Sequence, residues 1–137
     1  MKIAILIFSF FCLINNVQAK EYQWKVLDVA DGDTIKVEIP GLEEMHTSVR
    51  VRNIDTPEKG FRAKCLEEDS MGHEATNYTT MLVNNSRVIT FSEISWDKYG
   101  GRILAKVKLD GKDLAEQLIS AKLARPYHGE KKQGWCK

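Results

Sequence analysis

The chain has 137 residues, 43% of them hydrophobic and 28% charged, with a formal net charge of +1. That length holds one small domain with a modest core. The near-zero charge excludes a protein that grips nucleic acid by bulk electrostatics. Any such binding must come from local clusters such as Arg50, Arg52, Lys98, Arg102, Lys106 and Arg125.

The N-terminus reads as an export signal. Lys2 gives a positive start, Ile3 to Ile14 is apolar but for Ser9, and Val17-Gln18-Ala19 resembles a signal-peptidase site. The apolar run is short for a transmembrane span. The expectation is a signal peptide over residues 1–19, cleavage near Ala19, and a secreted or periplasmic domain over 20–137. The membrane is then met only in transit. Loss of residues 1–19 removes Lys2 and no acid, leaving a net charge of 0. Cys12 leaves with the signal, and Cys65 and Cys136 remain. In an oxidising compartment an even pair favours an intramolecular disulfide over free thiols or a bridge between chains. Neither cysteine has a second ligand at zinc-like spacing.

The first half of the domain is strand-rich. Tyr22 to Val29 forms a first strand, and Asp31-Gly32-Asp33 turns the chain. Ile35, Val37 and Ile39 alternate with Lys36 and Glu38 until Pro40-Gly41. Met45 to Ile54 forms a third strand, with Val49 and Val51 on one face and Arg50 and Arg52 on the other. Asp69-Ser70 can cap a helix running to about Val83, with Ala75, Tyr78 and Leu82 on one face. Strands follow over Arg87–Ile94 and Arg102–Leu109. Asp113 with Glu116 resembles a capping box opening a short helix along Leu114, Leu118 and Ala121. The expected fold is α+β, mainly β: a five-stranded barrel of the OB type with two to three short helices.

Two acidic turns stand out. Asp31 and Asp33 share one, and Asp55 and Glu58 share another that Pro57 stiffens. Hard oxygen donors from separate turns suit a divalent cation such as Ca²⁺ or Mg²⁺. Taken singly, each turn also reads as ordinary surface chemistry. Arg50 and Arg102 lie on strands, where a planar guanidinium can hold phosphate oxygens through two parallel bonds. Solvated ion pairs are the plainer reading of each. His46, His73 and His128 show no ligand spacing. Trp24, Trp96 and Trp135 read as packing residues.

The stretches Val29-Ala30-Asp31-Gly32-Asp33-Thr34, Arg50 through Asp55-Thr56-Pro57-Glu58, Gly72-His73-Glu74-Ala75, Asp97-Lys98-Tyr99-Gly100 with Arg102, and Leu123-Ala124 occur in one order. In that order and near-spacing the chain resembles the staphylococcal nuclease family over about Tyr22 to Tyr127. The resemblance implies a Ca²⁺-dependent endonuclease acting on DNA and RNA with 3′-phosphate products; Mn²⁺ or Mg²⁺ are alternative ions because oxygen ligands alone do not choose sharply. It implies Asp33 and Asp55 as metal ligands, the Thr56 carbonyl as a third, and Asp31 in the outer sphere. Glu58 would orient or deprotonate the attacking water. Arg50 would hold the scissile phosphate, and Arg102 would stabilise the transition state. Lys98, Tyr99 and Tyr127 would contact the nucleotide. The reading expects a monomer with no stable protein partner. A catalytically inactive OB-type nucleic-acid-binding module is the alternative, although degenerate members usually lose an acid or an arginine that this chain keeps.

Two departures from the family pattern matter. Gly100-Gly101 is one residue longer than the single-glycine form, an insertion that a bulge could absorb. The family's final long helix has no expected counterpart. Gly134-Trp135-Cys136 is expected to tie the tail down through Cys65 instead.

Overall fold

The computed structural model of the protein describes residues 18–44, 47–98 and 100–137. Residues 1–17 of the expected signal, with Met45, His46 and Tyr99, lie outside the described residues. The strands are β1 (Lys25–Asp31), β2 (Thr34–Glu38), β3 (Thr47–Val51), β4 (Ile54–Asp55), β5 (Ile89–Trp96), β6 (Arg102–Leu109), β7 (Lys112–Asp113) and β8 (Arg125–Pro126). The helices are α1 (Leu66–Asn84) and α2 (Leu114–Ser120), and a 3₁₀ turn covers Gly60–Arg62.

The main sheet runs β1-β2-β3-β6-β5. The two hairpin pairs at β2 are antiparallel, β3 runs parallel to β6, and β5 returns antiparallel to β6. Just before β1, Tyr22 exchanges two backbone hydrogen bonds of 2.8 Å with Phe91 of β5. That bridge joins the first strand to the last and curls the sheet into the expected five-stranded OB-type barrel. Period-two alternation fills the interior. Val49 and Val51 point inward from β3, and Ile103, Ala105, Val107 and Leu109 point inward from β6, all buried. Trp24 stacks on buried Phe91 at 5.1 Å, a packing role as expected. Leu114 and Leu118 of α2 join the same core.

Three local features differ from the sequence-based expectation. First, the strand expected to run to Ile54 breaks after Val51. Asn53 takes a left-handed φ of 65°, and the short β4 resumes in a new direction. Asparagine tolerates that conformation. Second, α1 starts at Leu66 rather than near Ser70. Cys65 is the N-cap, and its sulfur accepts from the Glu68 backbone N–H at 3.4 Å. Asp69 is thus a first-turn residue, where its charge favours the helix dipole. Third, the glycine insertion sits in the β5–β6 loop and not in a strand. Gly100 and Gly101 have φ of 70° and 71°, and the Gly100 N–H bonds the Asp97 carbonyl at 2.9 Å. The bulge in this hairpin is elsewhere, at Glu93.

Cys65 and Cys136 form a disulfide across 71 residues of sequence. Closing a loop of that length constrains the unfolded chain by about 4 kcal/mol in the chain-entropy picture. Reduction should therefore lower the unfolding midpoint by more than about 10 °C and release two titratable thiols. An unchanged melt with an unchanged thiol count would rule the bridge out.

Candidate active site

The site begins with strand register. Thr34 of β2 is paired with Arg50 of β3, and the Val51 N–H donates to the Asp33 carbonyl at 2.8 Å. Arg50 therefore lies beside the turn that carries Asp33. Its Nη2 is 3.1 Å from Asp33 Oδ2 and 3.4 Å from Asp55 Oδ1. Both carboxylates are buried. One guanidinium thus joins the two acidic turns that the sequence kept apart. The Thr34 hydroxyl donates to Asp33 Oδ1 at 2.9 Å, and the Thr56 N–H donates to Asp33 Oδ2 at 3.4 Å.

Helix α1 holds both turns in place through a stripe of small buried residues. Gly72, Ala75, Thr76 and Thr79 lie on its inner face. A Cβ at Gly72 would stand 2.3 Å from the Glu58 carbonyl oxygen. A Cβ at Gly32 would stand 2.7 Å from Ala75 Cβ, and the Thr79 hydroxyl donates to the Gly32 carbonyl at 2.7 Å. Buried Glu68 completes the clamp, accepting from the Glu58 N–H at 3.3 Å and the Lys64 N–H at 2.8 Å. Arg62 spans the turns from the solvent side, with Nη2 2.6 Å from Asp31 Oδ2 and Nε 3.1 Å from Glu58 Oε2. Burial pushes the Glu58 carboxyl above its ordinary value. Arg62 and Lys132 pull it down, and the like charges of Asp33 and Asp31 push with the burial.

The second arginine arrives by the parallel pairing. Ser48 is level with Arg102, and Arg50 with Leu104, so Arg50 and Arg102 project from the same face of neighbouring strands. Both line a cavity of about 440 Å³ that Lys98 and Tyr127 also border. The Arg102 Nε is bonded to Asp97 Oδ2, which aims the guanidinium from behind. Tyr127 is anchored by its N–H to the Asn53 carbonyl at 2.9 Å. Trp96 departs from the packing role expected of it: it is 72% exposed at this cavity. The site thus gathers Asp31, Asp33, Arg50, Asp55, Thr56 and Glu58 tightly, with Arg102, Lys98 and Tyr127 across the cavity. Tyr99 lies outside the described residues.

These donors fit a divalent cation. Asp31 Oδ1 is buried with no hydrogen-bond partner among the described residues. Among the described residues, the ion pairs of Asp31, Asp33, Asp55 and Glu58 set four carboxylates against three cations, Arg50, Arg62 and Lys132. A dication and one phosphodiester would bring that group to neutrality. All the donors are hard oxygens.

Several site residues escaped the sequence reading. Glu68 and Arg62 gave no motif. The third cation comes from the chain's end. Lys132 Nζ lies 2.6 Å from Asp55 Oδ1, and the Trp135 indole N–H donates to Asp55 Oδ2 at 3.3 Å. Arg125, paired with Asp55 across β4–β8, stacks on Trp135 at 3.8 Å and donates to the Gly134 carbonyl. The cysteine pair held the clue: a bridge to Cys65, just beyond the Asp55–Glu58 turn, brings residues 132–135 to that turn. His73 is exposed and faces Asp69.

The Gly72 contact gives a stability test. Gly72→Ala should cost about 1–3 kcal/mol by overpacking against the Glu58 backbone. Gly134→Ala, whose Cβ meets nothing within 4 Å, should leave stability unchanged. Denaturant titration compares the two, and equal stabilities would refute the clamp.

Comparison with known proteins agrees with this geometry. The profile of the "Staphylococcal nuclease homologue" family matches residues 48–135. Endonuclease YncB of Bacillus subtilis is 38% identical over 97 residues, covering 69% of this chain and 43% of that protein. The SPbeta prophage-derived endonuclease YokF of the same organism is 39% identical over 97 residues, covering 69% and 31% respectively. The thermonuclease of Staphylococcus hyicus is 33% identical over 108 residues, covering 78% and 60%. The chain thus spans less than two thirds of the length of each of these relatives. With the family profile matched across the barrel's third strand, both arginines and the tail, the chain belongs to the staphylococcal nuclease family.

Proposed function

We propose that this protein is a metal-dependent endonuclease that hydrolyses phosphodiester bonds in DNA and RNA with little sequence or sugar preference. Ca²⁺ is the favoured ion, Mn²⁺ and Mg²⁺ are alternatives, and the products carry 3′-phosphates. The enzyme acts after export, as a monomer. One observation carries this reading: Arg50 and Arg102 face one cavity, and Arg50 also touches the carboxylates of both acidic turns. The nuclease names of the three relatives support it.

Asp33 and Asp55, with the Thr56 carbonyl, would hold the ion, and Asp31 would act in its outer sphere. When bound, the ion neutralises phosphate charge and acts as a Lewis acid. The chain's own residues do the rest. Arg50 binds the scissile phosphate and aligns it with Glu58. Glu58 takes a proton from water as the water oxygen attacks phosphorus, and its burial-raised basicity suits that task. Arg102 offsets the growing charge on the equatorial oxygens. The P–O5′ bond breaks, and the leaving oxygen takes a proton to become a 5′-hydroxyl. Lys98, Tyr99 and Tyr127 hold the flanking nucleotide. A cavity that reads charge and ring faces accommodates any base.

The test is digestion of plasmid DNA and of RNA with divalent metal and with chelator. Cleavage should stop with chelator. Glu58→Gln should lower kcat by about 10² to 10⁴. Arg102→Ala should lower it by about 10² to 10³. A folded wild type that cuts nothing with Ca²⁺, Mn²⁺ or Mg²⁺ would replace the enzyme with a nucleic-acid-binding module.

A further inference from the structure

The tail brings a charge into the site that the proposed mechanism does not use. Lys132 Nζ and Arg50 Nη2 contact the same oxygen, Asp55 Oδ1, at 2.6 and 3.4 Å. An anion bound by Arg50 therefore lies within reach of Lys132. The lysine also borders both the cavity of Arg50 and Arg102 and a second one of about 320 Å³ that Glu58 lines. It lines the cavity of the guanidiniums and that of the proposed base alike.

Asp55 keeps other partners without this lysine. Asp55 Oδ1 already has Arg50, and Asp55 Oδ2 already has the Trp135 indole. The Lys132 side chain is 44% exposed, so its ion pair adds little to stability. What the structure spends on it is placement. Cys65–Cys136, the Arg125–Trp135 stack and the Trp135–Asp55 hydrogen bond all fix the segment that carries it. Its ring neighbour is Tyr127, 5.6 Å below the ammonium. An ammonium on a flexible stem can turn from carboxylate to phosphate, unlike the paired guanidinium of Arg102.

We propose that Lys132 is a third phosphate-binding cation of the active site, presented by the disulfide-anchored tail. This rests on the nuclease reading above. Four clustered carboxylates repel a polyanionic substrate, and Lys132 offsets that repulsion at the point of entry. Without the tether, the tail leaves Asp55 and the cation is lost to the site.

The test compares wild type, Lys132→Met, Lys132→Arg and the double variant Cys65→Ser with Cys136→Ser. A serine hydroxyl caps a helix as well as sulfur does, so the double variant removes the tether and keeps the cap. With an oligodeoxynucleotide substrate and Ca²⁺, Lys132→Met should lower kcat/KM by roughly 10- to 100-fold, mainly through KM. Lys132→Arg should recover most of the loss. The untethered variant should lose activity in the same direction, and adding Lys132→Met to it should change little further. Binding of a short labelled oligodeoxynucleotide, followed in a Glu58→Gln background, should lose about 0.7 from the slope of log affinity against log salt when Lys132 is replaced by Met. Packing effects alone would not move that slope. Wild-type kcat/KM and an unchanged salt slope in Lys132→Met would overturn the proposal. So would a failure of Lys132→Arg to rescue, or a full Lys132 effect that persists without the tether. If the wild type cuts nothing, the nuclease reading falls on its own. The salt slope measured with the wild-type background then decides the role of Lys132, upheld by a reduced slope and overturned by an equal one.

Discussion

The close docking of α1 against two backbone turns is the constraint on which the site depends. Gly72 leaves no room for a Cβ beside the Glu58 carbonyl, and Ala75 leaves none beside Gly32. The helix therefore approaches the barrel at the very turns that carry Asp31, Asp33 and Glu58. Thr79 and Glu68 add polar bonds to the same backbone segments. Asp31, Asp33 and Glu58 are held against one helix because small residues let it come this close. A larger side chain on the stripe would separate the helix from the chemistry as well as from the core.

Charge compensation is the second consequence. Clustered carboxylates repel one another, and burial makes that repulsion stronger. The protein answers with guanidiniums that span the turns: Arg50 between Asp33 and Asp55, Arg62 between Asp31 and Glu58. The tail adds Lys132 and the Trp135 indole to Asp55. A small domain has a limited core to hold an eleven-residue tail of this kind in place. The disulfide supplies that hold covalently, and it does so from the N-cap of the same helix that clamps the acids.

Much of this was legible in the residues. The alternation of Val49 and Val51 with Arg50 and Arg52 placed the core face and the polar face correctly. The two acidic turns and Gly72 were visible as motifs, and the barrel type followed from the succession of strands and helices and the family resemblance. What was not legible depended on contacts between distant segments. Nothing local distinguishes Glu68 from the acids Glu67 and Asp69 beside it, yet it alone of the three is buried. Cys65 displaced Asp69-Ser70 as the helix cap, its sulfur accepting the Glu68 N–H. Lys132 sits in a segment with no periodicity, and only the cysteine pairing points to its neighbours. Trp96 reads as a core residue by type, but the bulge at Glu93 and the hairpin end leave it exposed beside the arginines.

The most direct test of the central claim is to let the protein cut a defined oligonucleotide in H₂¹⁸O with Ca²⁺ and to weigh the fragments. Water activated by Glu58 and expulsion of the 5′ oxygen predict fragments ending in 3′-phosphate with one ¹⁸O, paired with 5′-hydroxyl ends, and no fragments with chelator present. Intact oligonucleotide, 5′-phosphate ends or 3′-phosphate without solvent oxygen from the DNA substrate would contradict the account.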